Sequence, residues 1–132
     1  MTRNLSHSCV NVALASHFVG KDPAVRRTFN AWRQLAKSCG PVTIYAQKSR
    51  IVFMVRVRFA GAIVHRTWLE GTLWLRRRVS HPRMHRLMDY GNLGFGLHLK
   101  LTSPDDVDTS LAALMREAYR TGCQQPDEPH AI

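Results

Sequence analysis

From Val42 onward the hydrophobic pattern has a period of two, and the breaks between its runs are only two residues long. Strands joined so tightly have to be antiparallel neighbours. In RIVFMVRVRFAG, residues 50–61, one phase is the unbroken apolar series Ile51, Phe53, Val55, Val57 and Phe59. The other phase carries Arg50, Val52, Met54, Arg56 and Arg58, as expected of a strand with one face on a core and the other facing something different. The pattern predicts strands over 42–47, 51–59, 62–69 and 72–78, joined at Lys48-Ser49, Ala60-Gly61 and Glu70-Gly71. A fifth follows where Phe95, Leu97, Leu99 and Leu101 alternate with Gly94, Gly96, His98 and Lys100.

Helices flank these strands. Asp22 is placed to cap a helix with Pro23 at its first position, and Val25, Phe29, Trp32, Leu35 and Ala36 form its apolar stripe up to Gly40-Pro41. Residues 5–19 have a weaker helical pattern. Ser80 to Met88 reads as a short helix burying Met84, Leu87 and Met88. Ser103, Pro104, Asp105 and Asp106 open a last helix, whose stripe of Val107, Leu111, Leu114, Met115 and Ala118 runs to Gly122. The expected fold is therefore α+β: two layers, an antiparallel sheet of about five strands with helices on one face. A chain of 132 residues is long enough for one self-sufficient core. We expect a single domain over 1–122 and a flexible polar tail over 123–132.

Charge narrows the partners. The formal net charge is +10, and it is unevenly spread. Residues 50–86 hold nine arginines, no lysine and one acid, Glu70, a net of +8, whereas residues 103–132 hold six acids against two arginines, a net of −4. Such a basic segment points to nucleic acid or another polyanion. Cys9, Cys39 and Cys123 are odd in number and widely spaced, which argues against a disulfide framework or zinc site and for reduced thiols in a cytoplasmic protein. Ser6, His7, Ser8 and Asn11 interrupt what an export signal would need to keep apolar, and no stretch reaches transmembrane length, so no membrane insertion is expected.

Several short motifs carry a family likeness: His17-Phe18 with Gly20, Lys48-x-Arg50-Ile51-x-Phe53, Arg56-x-Arg58-Phe59-Ala60, His81-Pro82-Arg83, Tyr90-Gly91, His98, Leu101-Thr102-Ser103-Pro104 and Glu117-Ala118-Tyr119. In these the chain, over about residues 16–122, resembles the bacterial domain-of-unknown-function family 5655. The resemblance implies a domain found alone or attached to other modules, with no activity assigned.

The residues themselves offer three functional readings. In the first, Arg56, Arg58, Arg66, Arg76, Arg78, His98 and Lys100 form a cationic sheet face on which Trp68 and Trp74 offer stacking surfaces, a platform for single-stranded nucleic acid or a nucleotide. In the second, Val52 and Met54, lying in the arginine phase, mark a strip covered by a helix, by a second subunit in a homodimer, or by a partner protein. In the third, Tyr45, Lys48, Arg56, Arg58 and His98 line a pocket for a small phosphorylated or carboxylated molecule, though no carboxylate base is evident. The bland alternative for the arginines and tryptophans is a solvated outer face. His81 and His85 stand four apart but lack a third ligand, and nothing calls for a metal or a cofactor. The run Gly91 to Gly96 imitates RNA-binding loop and strand signatures without their context. The sequence favours a non-enzymatic binding module.

Overall fold

A computed structural model describes residues 14–124. Six strands form one antiparallel sheet: β1 (Thr43–Ala46), β2 (Ile51–Met54), β3 (Arg58–Val64), β4 (Leu69–Leu75), β5 (Met84–Asp89) and β6 (Phe95–Leu101), in the spatial order β1-β2-β3-β4-β6-β5. Helix α1 (Pro23–Lys37) precedes the sheet and α2 (Thr109–Gly122) follows it. The fold is α+β, with one strand more than the pattern predicted. Residues 14–16 are helical and 17–19 form a turn, so the expected first helix ends earlier than its pattern suggests; its residues 5–13, like the expected tail beyond 124, lie outside the described residues.

Helix α1 starts where its sequence says. The Asp22 side chain accepts from the Ala24 N–H at 2.9 Å, and Pro23 occupies the first turn. The last helix starts later than expected. Ser103 and Asp106 do form a reciprocal capping box, but around a short 3-10 turn, Pro104–Asp106; a second cap, Asp108, then accepts from the Leu111 N–H at 3.2 Å to open α2. The core joins Val25, Phe29, Trp32 and Ala36 of α1 and Leu111, Met115 and Ala118 of α2 to alternate strand residues, among them Ile51, Phe53, Leu73, Leu97 and Leu99.

Three local expectations are corrected. The second strand does not run through to Phe59, because the chain bends at residues 55–57, where the N–H groups of Arg56 and Val57 both donate to the Gly122 carbonyl, at 3.1 and 3.0 Å. The end of α2 thus satisfies its own free carbonyl by capturing the bend, an interaction across 66 residues that local periodicity cannot register. Gly61 and Gly71 are strand residues, not turns. Trp32 lies against both: its indole Nε1–H donates to the Gly61 carbonyl at 2.8 Å, and a Cβ on Gly71 would sit 3.0 Å from its ring. Residues 84–89 are a strand at the sheet's edge, not part of a helix over Ser80 to Met88. Met84, Leu87 and Met88 fit helical spacing in sequence, yet β5 achieves its pairing to β6 through an irregularity between Met84 and Arg86.

Candidate functional site

Successive residues of a strand point to opposite sides, so the residues skipped by the core share the other side of the sheet. There one row crosses all six strands: Tyr45 pairs with Val52, Val52 with Gly61, Gly61 with Thr72, Thr72 with His98 and His98 with Arg86. Above it on one side stand Glu70 and Lys100, paired with each other; on the other, Trp74 and Gly96. Val52 is buried but absent from the helix-packed core. It belongs to the floor of a hollow.

Two hollows adjoin along this side. A cavity of about 120 Å³ is lined by Arg50, Val52, Arg58, Thr72, Trp74, Tyr90, Gly96 and His98, among others. A shallower hollow of about 570 Å³ is lined by Tyr45, Met54, Val57, Arg58 and Trp74. Arg58 and Trp74 belong to both. Tyr90 stacks on Trp74 with ring centroids 4.9 Å apart. Gly96 lets the Tyr90 ring come close, since a Cβ there would stand 3.2 Å from that ring and 3.7 Å from Nε2 of His98.

Sequence reasoning missed the residue that organises this side. Glu70 is only 3% exposed, and three cations or potential cations converge on it. Its Oε2 accepts from His98 Nδ1 at 2.6 Å and from Arg86 Nη2 at 3.3 Å, while Oε1 stands 2.9 Å from Nε2 of His65. Burial alone pushes the carboxyl up, but the hydrogen bonds from His65 and His98 and the charges of His98 and Arg86 outweigh it and hold Glu70 below the ordinary range. Burial pushes His98 below its ordinary value, against the hydrogen bond and charge of Glu70, which pull it up. Near neutral pH the pair is therefore a carboxylate beside a neutral imidazole. A carboxylate only accepts, so the proton of His98 is on Nδ1 and its lone pair is on Nε2. One signal in the sequence did single out Glu70: it is the one acid among nine arginines.

Of the residues expected to form the site, the fold brings Arg58, Trp74 and His98 together at the cavity. Trp68 and Lys100 meet elsewhere, just before β4: the Lys100 ammonium lies 5.1 Å from the Trp68 ring centre, His65 stacks on that indole at 4.0 Å, and His85 meets it edge-on at 5.1 Å. Arg56 and Arg66 occupy the bends before and after β3, and Arg76 and Arg78 lie beyond the end of β4, so these four do not stand on strands. Arg78 lies 3.4 Å from Asp89 and over the Phe95 ring. Lys48 is in the bend after β1, against a separate hollow with His17 and Lys21. His81 and His85 do not share a helix. His81 contacts Ser110 Oγ at 2.9 Å, and its Nδ1 accepts from the Arg83 N–H.

The arrangement is that of a small α+β domain whose sheet carries a cationic, aromatic-lined hollow, with a buried acid bonded to the histidine at its wall. The chain belongs to the family described as Domain of unknown function (DUF5655), whose model matches residues 14–122. No curated protein and no solved structure matches it. No helix among the described residues is long and apolar enough to cross a membrane.

Proposed function

We propose that this is a binding module for single-stranded nucleic acid or a nucleotide, with the ligand lying along the side of the sheet that bears Thr72 and His98. In this reading the two helices cover the opposite side in a two-layer arrangement, leaving the hollows accessible. The observation that carries it is the sharing of Arg58 and Trp74 between two adjoining hollows. A guanidinium beside an indole suits a ligand that alternates phosphate with flat rings. The cavity alone, at about 120 Å³, is below the ~300–1,000 Å³ of ordinary ligand pockets, so it takes a phosphate and its sugar while the wider hollow takes a base. Arg50 joins Arg58 at the phosphate position.

Anisotropy of a labelled single-stranded oligonucleotide, titrated at several salt concentrations, tests this. Binding weakens steeply with salt, and an Arg50→Ala/Arg58→Ala double variant loses roughly one unit of salt slope for each phosphate contact removed. Absence of binding even at low salt would rule the reading out.

A further inference from the structure

We propose that His98 is a general base and that the cavity cleaves single-stranded RNA through the RNA's own 2′-hydroxyl, an inference that rests on the binding reading above. The geometry is that of a tuned base. Glu70 holds the Nδ1–H at 2.6 Å and fixes the ring, which leaves Nε2 as the acceptor. His98 and Gly96 both line the cavity, and Nε2 stands on the Gly96 side of the ring, 3.7 Å from where a Cβ on that glycine would be. Arg50 and Arg58 line the same cavity.

What these groups can do follows from what they are. One neutral base and two neighbouring cations can remove a proton and stabilise negative charge on the phosphate oxygens. A nucleophile carried by the substrate itself completes the set, and the hydroxyl neighbouring a phosphodiester in RNA is such a group. In the step, the 2′-hydroxyl gives its proton to Nε2 as its oxygen bonds to phosphorus. The bond from phosphorus to the 5′-oxygen breaks, and that oxygen takes a proton from solvent. The products are a 2′,3′-cyclic phosphate and a free 5′-hydroxyl, with no change of oxidation state. Glu70 acts as a positioning residue. The groups facing the imidazole are Glu70 from β4, Arg86 from β5 and Arg50 before β2, with His65 reaching it through Glu70.

The test uses the full chain with an end-labelled single-stranded RNA and its all-deoxy counterpart. The expected result is cleavage of RNA alone, with cyclic-phosphate ends and a rate that falls on the acid side as His98 takes a proton. His98→Gln keeps an amide donor toward Glu70 but has no base, and it lowers the rate by roughly 10²–10⁴-fold while RNA binding persists. Glu70→Gln slows the reaction and moves the acid limb to lower pH, because the charge that favours the imidazolium is gone. RNA and DNA both bound with no cleavage overturns the general base and leaves the binding reading standing. Cleavage undiminished in His98→Gln overturns it too, by exposing a contaminating nuclease. No binding of either strand overturns both readings.

Discussion

Oε2 of Glu70 lies 2.6 Å from Nδ1 of His98, and the two residues reach each other from neighbouring strands across 28 positions of sequence. Both side chains are buried, and Arg86 and His65 bond the same carboxylate. Removing it leaves the buried Nδ1–H of His98 with nothing to accept its hydrogen, whereas the half-exposed His65 and Arg86 can turn to water. Glu70→Ala is expected to cost about 2–4 kcal/mol, from one unsatisfied buried donor and the space the side chain leaves. Glu70→Gln, which keeps the shape and one acceptor, costs about 1.5–3 kcal/mol. Urea unfolding curves measure both; equal losses would show that the charge, which both variants lack, carries the whole effect, and a negligible loss in Glu70→Gln would show that the charge is unimportant.

The same pair makes stability sensitive to acid. His98 is depressed in the fold, so between its folded value and the ordinary 6.5 the unfolded chain binds more protons, and stability falls as pH drops through that window. Glu70 is also depressed; its contribution is full above the ordinary 4.5 and is lost as pH falls through its lower folded value. The melting temperature should therefore decline in two stages below about pH 6.5. His98→Gln shrinks the first stage, which His81 shares, and Glu70→Gln shrinks the second, which Asp106 and Asp108 share.

Gly71 separates what the sequence could show from what it could not. The alternating phases of Ile51 to Phe59 and Phe95 to Leu101 announced an antiparallel sheet, and Asp22-Pro23 announced α1, because those signals lie in neighbouring residues. Where the strands turn was set from a distance, by the Gly122 carbonyl at residues 55–57 and by the Trp32 indole over Gly61 and Gly71. The site was half legible for the same reason: Arg58, Trp74 and His98 could be chosen by type and phase, but Glu70 gains its role from His65, Arg86 and His98 converging on it. Were Gly71 in a solvent-facing turn, Gly71→Ala would be nearly neutral. In β4 the new methyl meets Trp32 and Leu101 at 3.0 Å, and the expected loss is about 1–3 kcal/mol by thermal or urea unfolding.

Arg77 presents a contrast between good geometry and small effect. Its Nε and Nη2 bond the two oxygens of Glu117 at 2.8 Å each, tying the segment after β4 to α2. Exposure of the arginine side chain at 62% places the pair in water, where such bridges contribute little. Arg77→Ala is expected to cost no more than about 1 kcal/mol, and the cost should shrink in high salt. A larger loss that salt does not diminish would mean that the arginine stem packs on the domain.

Binding, under the proposed reading, should distinguish the two tryptophans. Trp68 already carries His65 stacked on it and Lys100 above the ring, so its surface is engaged by the protein's own side chains. Trp74 also carries one stacked ring, Tyr90, but among the described residues no cation lies over it, and it lines both hollows beside Arg58. Loss of one base–aromatic stack corresponds to about 1–3 kcal/mol, so Trp74→Ala should weaken single-strand binding by roughly five- to 150-fold. Trp68→Ala should change it far less. Arg58→Ala and Arg66→Ala make the matching comparison among the cations, because Arg58 lines the hollows whereas Arg66 sits in the bend after β3. Anisotropy at one fixed salt concentration ranks all four variants. If Trp68 and Arg66 matter as much as Trp74 and Arg58, the ligand follows surface charge and not the hollows.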